Sequence, residues 1–129
     1  MGRKTFETLK RPLTPRNRIV FTRRPIPLTK GGAGDGGCLH ALSTSQAKVL
    51  SLLKQRGWSR VAVLGGTSIY DWFLKHRLID ELYLTVEPVV FGKGKLFANE
   101  NLKVSARFIL LSVRKLNRQG TLLLHYKRR

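Results

Sequence analysis

The sequence predicts an α/β fold: a mostly parallel sheet flanked by helices and finished by a C-terminal antiparallel hairpin. Three observations carry that reading. Compact apolar runs alternate with helix-period segments along most of the chain. One run, "RVAVL" (60–64), is too uniformly apolar to keep a solvent face, as for a strand inside a parallel sheet. The tail "ARFILLSVRKLNRQGTLLLHYKRR" holds two apolar runs around a polar turn at 117–120, the pattern of a hairpin. A chain of 129 residues with no internal repeat is expected to form a single domain, 1–129.

Each element has its own justification. "TFETL" (5–9) is a short helix, with Phe6 and Leu9 three apart on one face, and the prolines at 12 and 15 stop it. "RIVFT" (18–22) is a β-branched and aromatic strand. The proline- and glycine-rich "RRPIPLTKGGAGDGG" is a loop, and "CLHAL" (38–42) is a brief strand. "STSQAKVLSLLKQRG" reads as a helix capped by Ser43 or Thr44, with Ala47, Leu50, Leu53 and Lys54 at helical spacing and Gly57 just past its end. "TSIYDWFLKHR" (67–77) is the next helix, with Ile69, Trp72, Phe73 and Leu74 on its buried side. "DELYLTVEPVVF" (80–91) is a strand ended by the glycines at 92 and 94.

Charge narrows the partners. Twenty-five Lys and Arg face seven Asp and Glu, a net +18, so the surface should attract polyanions or phosphate-bearing ligands. Nucleic acid is not favoured at this level, because no recognition motif is present and no strand interleaves aromatic with basic residues. A single cysteine, Cys38, rules out an internal disulfide, and His40, His76 and His125 lie too far apart for a metal motif, so no metal is expected. No apolar segment is long enough to cross a bilayer and none has the form of a leader, so a cytoplasmic protein is expected.

The pair Gly65-Gly66 sits where an apolar run meets a helix start bearing Thr67 and Ser68. Backbone N–H groups, the positive end of the helix and two hydroxyls together suit a phosphate. The same glycines also suit a plain tight turn, chosen for dihedral freedom. A second basic helix start, Gly2-Arg3-Lys4-Thr5, and a third cluster, Arg23-Arg24 beyond Thr22, fall where ligands of α/β sheets gather, at the carboxyl ends of strands.

In order and spacing, "MGRKTFETL", "RPLTPRNRIVFTRR", "VLGGTSIYDWFL" and "LIDELYLTVEPVVFGKGKLF" resemble the dihydrofolate reductase superfamily. That superfamily includes the reductase domain of the riboflavin-pathway deaminase–reductase, which "PVVFGKGKLF" resembles more closely. The resemblance implies a dihydrofolate reductase-like sheet and NADPH as cofactor. It implies hydride transfer to a C=N bond of a pterin-like substrate, with 7,8-dihydrofolate as the first reading. The alternative is 5-amino-6-(5-phosphoribosylamino)uracil of riboflavin biosynthesis, and a third reading is a non-catalytic basic domain that binds polyanions. Gly2, Arg3, Lys4 and Thr5 match the helix start that holds cofactor phosphates, the 2′-phosphate included. Thr22, Arg23 and Arg24 match the strand end beside the adenosine. Gly65 and Gly66 match a pair joined by a cis peptide, while Thr67, Ser68, Ile69 and Tyr70 match the helix start under the pyrophosphate and nicotinamide. Arg16, with Arg18 as its alternative, matches a substrate carboxylate anchor, and Thr85 matches a threonine supporting the substrate ring.

The family places its first strand, a mobile loop and an acidic catalytic residue ahead of the segment where this chain begins. The chain is therefore expected to lack that acid, to leave the catalytic residue unassigned, and to expose strand edges that favour a homodimer. Glu87, a strand acid before Pro88, is expected to be structural, Asp71 and Asp80-Glu81 are expected to be solvent charges at helix ends, and Asp35 falls in the glycine-rich loop.

Overall fold

The structure, a computed structural model, describes residues 1–9, 19–22, 38–40, 45–99 and 105–129. The chain divides into two compact units, Met1–Tyr70 and Asp71–Arg129.

In the first unit, Met1 and Gly2 lie alongside β1 (Val20–Thr22). The Met1 amino group donates to Ile19 O at 3.0 Å, Phe21 N donates to Met1 O at 2.8 Å, and Gly2 forms a parallel bridge with Phe21. On its other side β1 pairs in parallel with β2 (Cys38–His40), Val20 opposite Cys38 and Thr22 opposite His40. All three β1 residues are buried, Val20 to 1% exposure, and burying a Val or Phe side chain stabilises by about 1.5–3 kcal/mol. The chain then turns into α1 (Arg3–Glu7), two residues earlier than the apolar pattern suggests. Gly2 is its N-cap in extended conformation, and Phe6 N donates back to Gly2 O at 3.0 Å.

Helix α2 (Gln46–Gln55) is capped by Ser45, whose hydroxyl accepts from Lys48 N at 3.2 Å; Ser43 and Thr44 lie outside the described residues. Gly57 takes φ +65 past the helix end, the left-handed conformation in which glycine carries no steric cost. The stripe of α2 is shifted from the expected one. Val49 is buried, Leu52 and Leu53 are half-buried, and Leu50 is exposed. The spacing is the helical one, i, i+3 and i+4, but its phase follows Val49 rather than Leu50.

"RVAVL" was expected to be a buried strand, and here the structure differs. Residues 60–64 join no ladder among the described residues, and Val61 remains 47% exposed. The bond from Gly2 N to Gly65 O, at 2.8 Å, lies just past this run.

The unit boundary falls within α3 (Thr67–Lys75). Ile69 and Phe73, four apart, are its buried pair, while Trp72 and Leu74 are half-buried. In the second unit α3 ends where Leu78 N donates to Phe73 O at 2.9 Å and Arg77 adopts φ 56. Strand β3 (Glu81–Val86) stops five residues before the expected end at Phe91. Pro88 offers no N–H, Val89 N folds back onto Glu87 O at 2.8 Å, and Val90 is 98% exposed. Strands β4 (Phe108–Lys115) and β5 (Leu122–Arg128) form the expected hairpin. β5 is central and antiparallel to both neighbours, in the order β3-β5-β4, with a register shift between Leu110 and Ser112. No described helix is long and apolar enough to cross a membrane.

Candidate functional site

The first unit brings two sequence-distant turns into direct contact. The hydrogen bond from Gly2 N to Gly65 O joins the start of α1 to the glycine pair. Ile69 of α3 backs the same junction: a Cβ on Gly2 would stand 3.2 Å from Ile69 Cγ1. Thr5 lies against Gly66, its Oγ1 3.6 Å from where a Cβ would be. The Gly65-Gly66 peptide is cis, as the resemblance implies.

The two glycines answer to different constraints. Gly65 has φ +65, and a Cβ there would fall 2.8 Å from Cε2 and 2.9 Å from Cζ of Tyr70. The left-handed φ favours glycine at 65 whatever the ligand, and an added Cβ would also have to displace the Tyr70 ring. Gly66 is different, since a Cβ there meets nothing closer than Thr5. Its carbonyl accepts from Ile69 N at 2.9 Å and Tyr70 N at 3.1 Å, which starts α3. The first N–H groups of a helix have no carbonyl one turn earlier within it. The backbone at 66–68, with the hydroxyls of Thr67 and Ser68, therefore makes a surface open at main-chain level and positive in character.

Basic groups flank this surface. Lys4 is exposed, and Arg3 pairs with Glu7 at 3.4 Å across one helical turn, both side chains well exposed. Such a surface pair is worth about 0.3–0.5 kcal/mol, so Arg3 can exchange Glu7 for a ligand phosphate at small cost. Thr22 is buried at the end of β1. Burial also lowers the Met1 amino group from 8.0 to about 6, since a charge half-removed from water is disfavoured.

The structure thus gathers Gly2, Thr5, Gly65, Gly66, Ile69 and Tyr70 in one place, with Arg3, Lys4, Thr67 and Ser68 on the adjoining helix starts. Arg16, Arg18, Arg23 and Arg24 lie outside the described residues, as does the loop acid Asp35. Thr85 sits exposed on β3 in the second unit.

Three of the described acids are engaged by other groups of the chain. Asp71 Oδ1 accepts from Asn99 N at 2.8 Å, Glu87 accepts from the buried Thr121 hydroxyl at 2.6 Å, and Glu81 accepts from Tyr83 and His125, each at 2.9 Å. Glu87, expected in a strand, lies just past the end of β3 and is engaged by the Thr121 hydroxyl. Sequence reasoning missed the Glu81–Tyr83–His125 cluster, whose only sequence signal is a Tyr and a His in strands that pair. Nor did it foresee a cavity of about 190 Å³ built wholly from second-unit residues, among them Arg77, Arg107, Arg128 and Arg129. No group of three or more His, Cys, Asp or Glu suited to a metal occurs among the described residues.

Comparison with known proteins agrees with this architecture. The structure is similar to a protein of riboflavin biosynthesis from Shewanella sp. PV-4, with a TM-score of 0.80 and 21% identity, covering 100% of this chain and 72% of that one. It is similar to Acinetobacter baumannii RibD at a TM-score of 0.66 and 21% identity, covering 88% of this chain and 38% of that one. It is also similar to a pyrimidine reductase-like protein of Corynebacterium diphtheriae, at a TM-score of 0.60 and 24% identity, covering 71% of this chain and 39% of that one. The chain thus spans under two fifths of the length of the last two. No curated protein matches it. The family profile described as dihydrofolate reductase matches residues 1–104, and the chain belongs to that family.

Proposed function

We propose that the chain is an NADPH-dependent reductase whose cofactor lies on the joined turns of the first unit. The observation that carries this is the contact of the Gly2–Thr5 turn with Gly65-Gly66. Two helix starts, two backbone approaches and two cations then face one polyanionic ligand. The residues fit such a cofactor: Gly66 leaves the main chain open where a side chain would fill the space, and hydroxyls from Thr5, Thr67 and Ser68 border it.

When bound, NADPH supplies the hydride. The chain's own residues hold and orient it. The 66–68 backbone and the hydroxyls of Thr67 and Ser68 receive the pyrophosphate at the positive end of α3. Arg3 and Lys4 take the 2′-phosphate, Arg3 as a planar fork that suits phosphate oxygens. Tyr70, packed against Gly65, forms a rigid wall beside the nicotinamide. The chemistry the cofactor would supply is hydride addition to the carbon of a C=N bond, and no described carboxylate is assigned to the proton that the nitrogen would take.

Two substrates suit this chemistry. Membership of the dihydrofolate reductase family supports dihydrofolate. Fold similarity to proteins of riboflavin biosynthesis, together with "PVVFGKGKLF", supports 5-amino-6-(5-phosphoribosylamino)uracil, and we favour that second reading. Turnover assays with each substrate and NADPH separate them. Arg3→Ala tests the cofactor assignment: NADPH affinity should fall about tenfold, as expected for one lost charge-assisted contact, while NADH affinity holds. Equal losses for the two nucleotides would remove Arg3 from the 2′-phosphate.

A further inference from the structure

One end of the second unit gathers positive charge that the reductase reading does not use. Arg77 lies just past α3, Arg107 precedes β4, Arg128 ends β5 and Arg129 follows it. Backbone pairing brings them together. Phe108 pairs with Arg128 in the ladder of β4 and β5, and one step outward Arg129 N donates to Arg107 O at 3.0 Å. Arg128 N donates to Asp80 O at 2.7 Å, which ties the end of β5 to the start of β3. Arg77 takes φ 56, and its carbonyl accepts from Arg128 Nη1.

These arginines line one cavity of about 190 Å³, with Ser105 beside them and the half-buried Leu74 and Ile79 as an apolar wall. No Asp or Glu lines it, and none of its arginines is in an ion pair with a carboxylate among the described residues. Like charges set side by side at a sheet end oppose folding, and the apolar wall strengthens that repulsion by keeping the local dielectric low. A guanidinium cannot relieve it by losing a proton. An anion that carries more than one charge can. The planar fork of arginine matches phosphate oxygens, two at a time. Size narrows the choice further. Pockets that enclose a drug-sized ligand run to roughly 300–1,000 Å³; this one is smaller, and admits a phosphoryl or diphosphoryl group but not a whole nucleotide.

We propose that this arginine-lined cavity binds a phosphate or diphosphate group and is a site of its own, built wholly from second-unit residues. Arg77, Arg107 and Arg129 supply the forks, and the Ser105 hydroxyl adds a donor. Arg128, held to Arg77 O, keeps the end of β5 against the turn after α3. The group is either a free inorganic anion or the diphosphate end of a larger molecule whose remainder stays outside.

The test is calorimetric titration of the full chain with inorganic pyrophosphate. It is done at physiological ionic strength, where exposed charges more than about 8 Å apart are largely screened, and with saturating NADPH, so that pyrophosphate does not compete for the first-unit turns. The wild type should show one saturable site. Arg107→Gln, at an exposed position, and Arg77→Asn, a residue that tolerates the left-handed conformation, should each weaken it about tenfold or more, as for a lost charge-assisted contact. Arg114→Gln removes the same charge from an exposed position of β4 outside the cavity and should leave the affinity unchanged. NADPH titrated into Arg107→Gln should bind as it does to the wild type. ADP bound as tightly as pyrophosphate gives the end group of a larger molecule, and ADP bound more weakly gives the free anion; both agree with the proposal. A wild type that binds pyrophosphate but not NADPH would sink the reductase reading and leave this one standing. The proposal is overturned if the wild type shows no saturable pyrophosphate site, if the two cavity variants bind like the wild type, if Arg114→Gln loses as much as they do, or if Arg107→Gln weakens NADPH to the same extent.

Discussion

At the residue scale, adjacent glycines can be required for unrelated reasons. Gly65 is held by its own chain: φ +65 and the Tyr70 ring leave no room for a methyl group. Gly57 has the same φ but nothing within 4 Å. Gly57→Ala should therefore lose only the left-handed penalty, about 1–2 kcal/mol, whereas Gly65→Ala must also displace an aromatic ring and should lose clearly more. Urea unfolding of both variants measures the difference; equal losses would mean that the Tyr70 ring yields freely. The glycine pair itself was plain in the sequence. What was not plain was that a side chain five residues onward crowds the first glycine, because that contact depends on how α3 leaves the turn.

The Met1 amino group gives a residue-scale prediction for pH. In the chain of residues 1–129 its folded value is about 6 against 8.0 unfolded. Between those values the unfolded state binds more protons, so stability rises with pH from about 6 to about 8 and is lower below that window. The shift corresponds to roughly 2–3 kcal/mol at most, taking 1.4 kcal/mol per unit. Thermal denaturation at the two ends of the window should show the trend. N-terminal acetylation, which removes the charge and keeps the N–H donor to Ile19 O, should flatten it. An unchanged slope after acetylation would assign the pH dependence to other groups.

At the element scale, type and order were legible except at 60–64, while ends and phases were not. The hairpin was evident from two apolar runs around a polar turn, and its closure is specific. Asn117 Oδ1 accepts from Gly120 N and Thr121 N, both at 3.1 Å, while its Nδ2 donates to Thr121 Oγ1 at 2.7 Å. Thr121 is only 3% exposed and its hydroxyl donates a hydrogen bond to Glu87. Asn117→Ala should cost about 1–3 kcal/mol, the penalty for stranding buried polar groups, and should lower the urea midpoint. Thr121→Val, nearly the same shape, should cost less than Glu87→Ala, which leaves a buried hydroxyl without its acceptor; the reverse order would count against this network. The early end of β3 and the unpaired run 60–64 escaped the sequence for one reason. A strand needs a neighbour, and an apolar run does not disclose whether its neighbour continues alongside. The stripe of α2 was misplaced by one residue because Leu50 and Val49 are equally apolar and only packing decides between them.

At the scale of the whole molecule, family membership and the α/β class were legible because four motifs stand in order along the chain. The excess of positive charge was equally plain, but charge alone could not separate a dinucleotide from a nucleic acid. The structure adds that the helix starts at Gly2 and Gly66 meet within the first unit. The substrate was not legible, since the carboxylate that would identify it has no counterpart among the described residues.

The central claim is that the joined glycine turns hold NADPH, and Gly66→Ala tests it most directly. An added Cβ meets only Thr5 Oγ1 at 3.6 Å, ordinary contact distance, so the chain itself accommodates the methyl group, while a pyrophosphate against the same backbone does not. Calorimetric titration of the wild type should show one saturable NADPH site that is weaker for NADH. Gly66→Ala should lose NADPH binding by tenfold or about 1.4 kcal/mol, with an unchanged circular dichroism spectrum. Wild-type and Gly66→Ala chains that bind NADPH equally, or a wild type with no saturable site, would contradict the account.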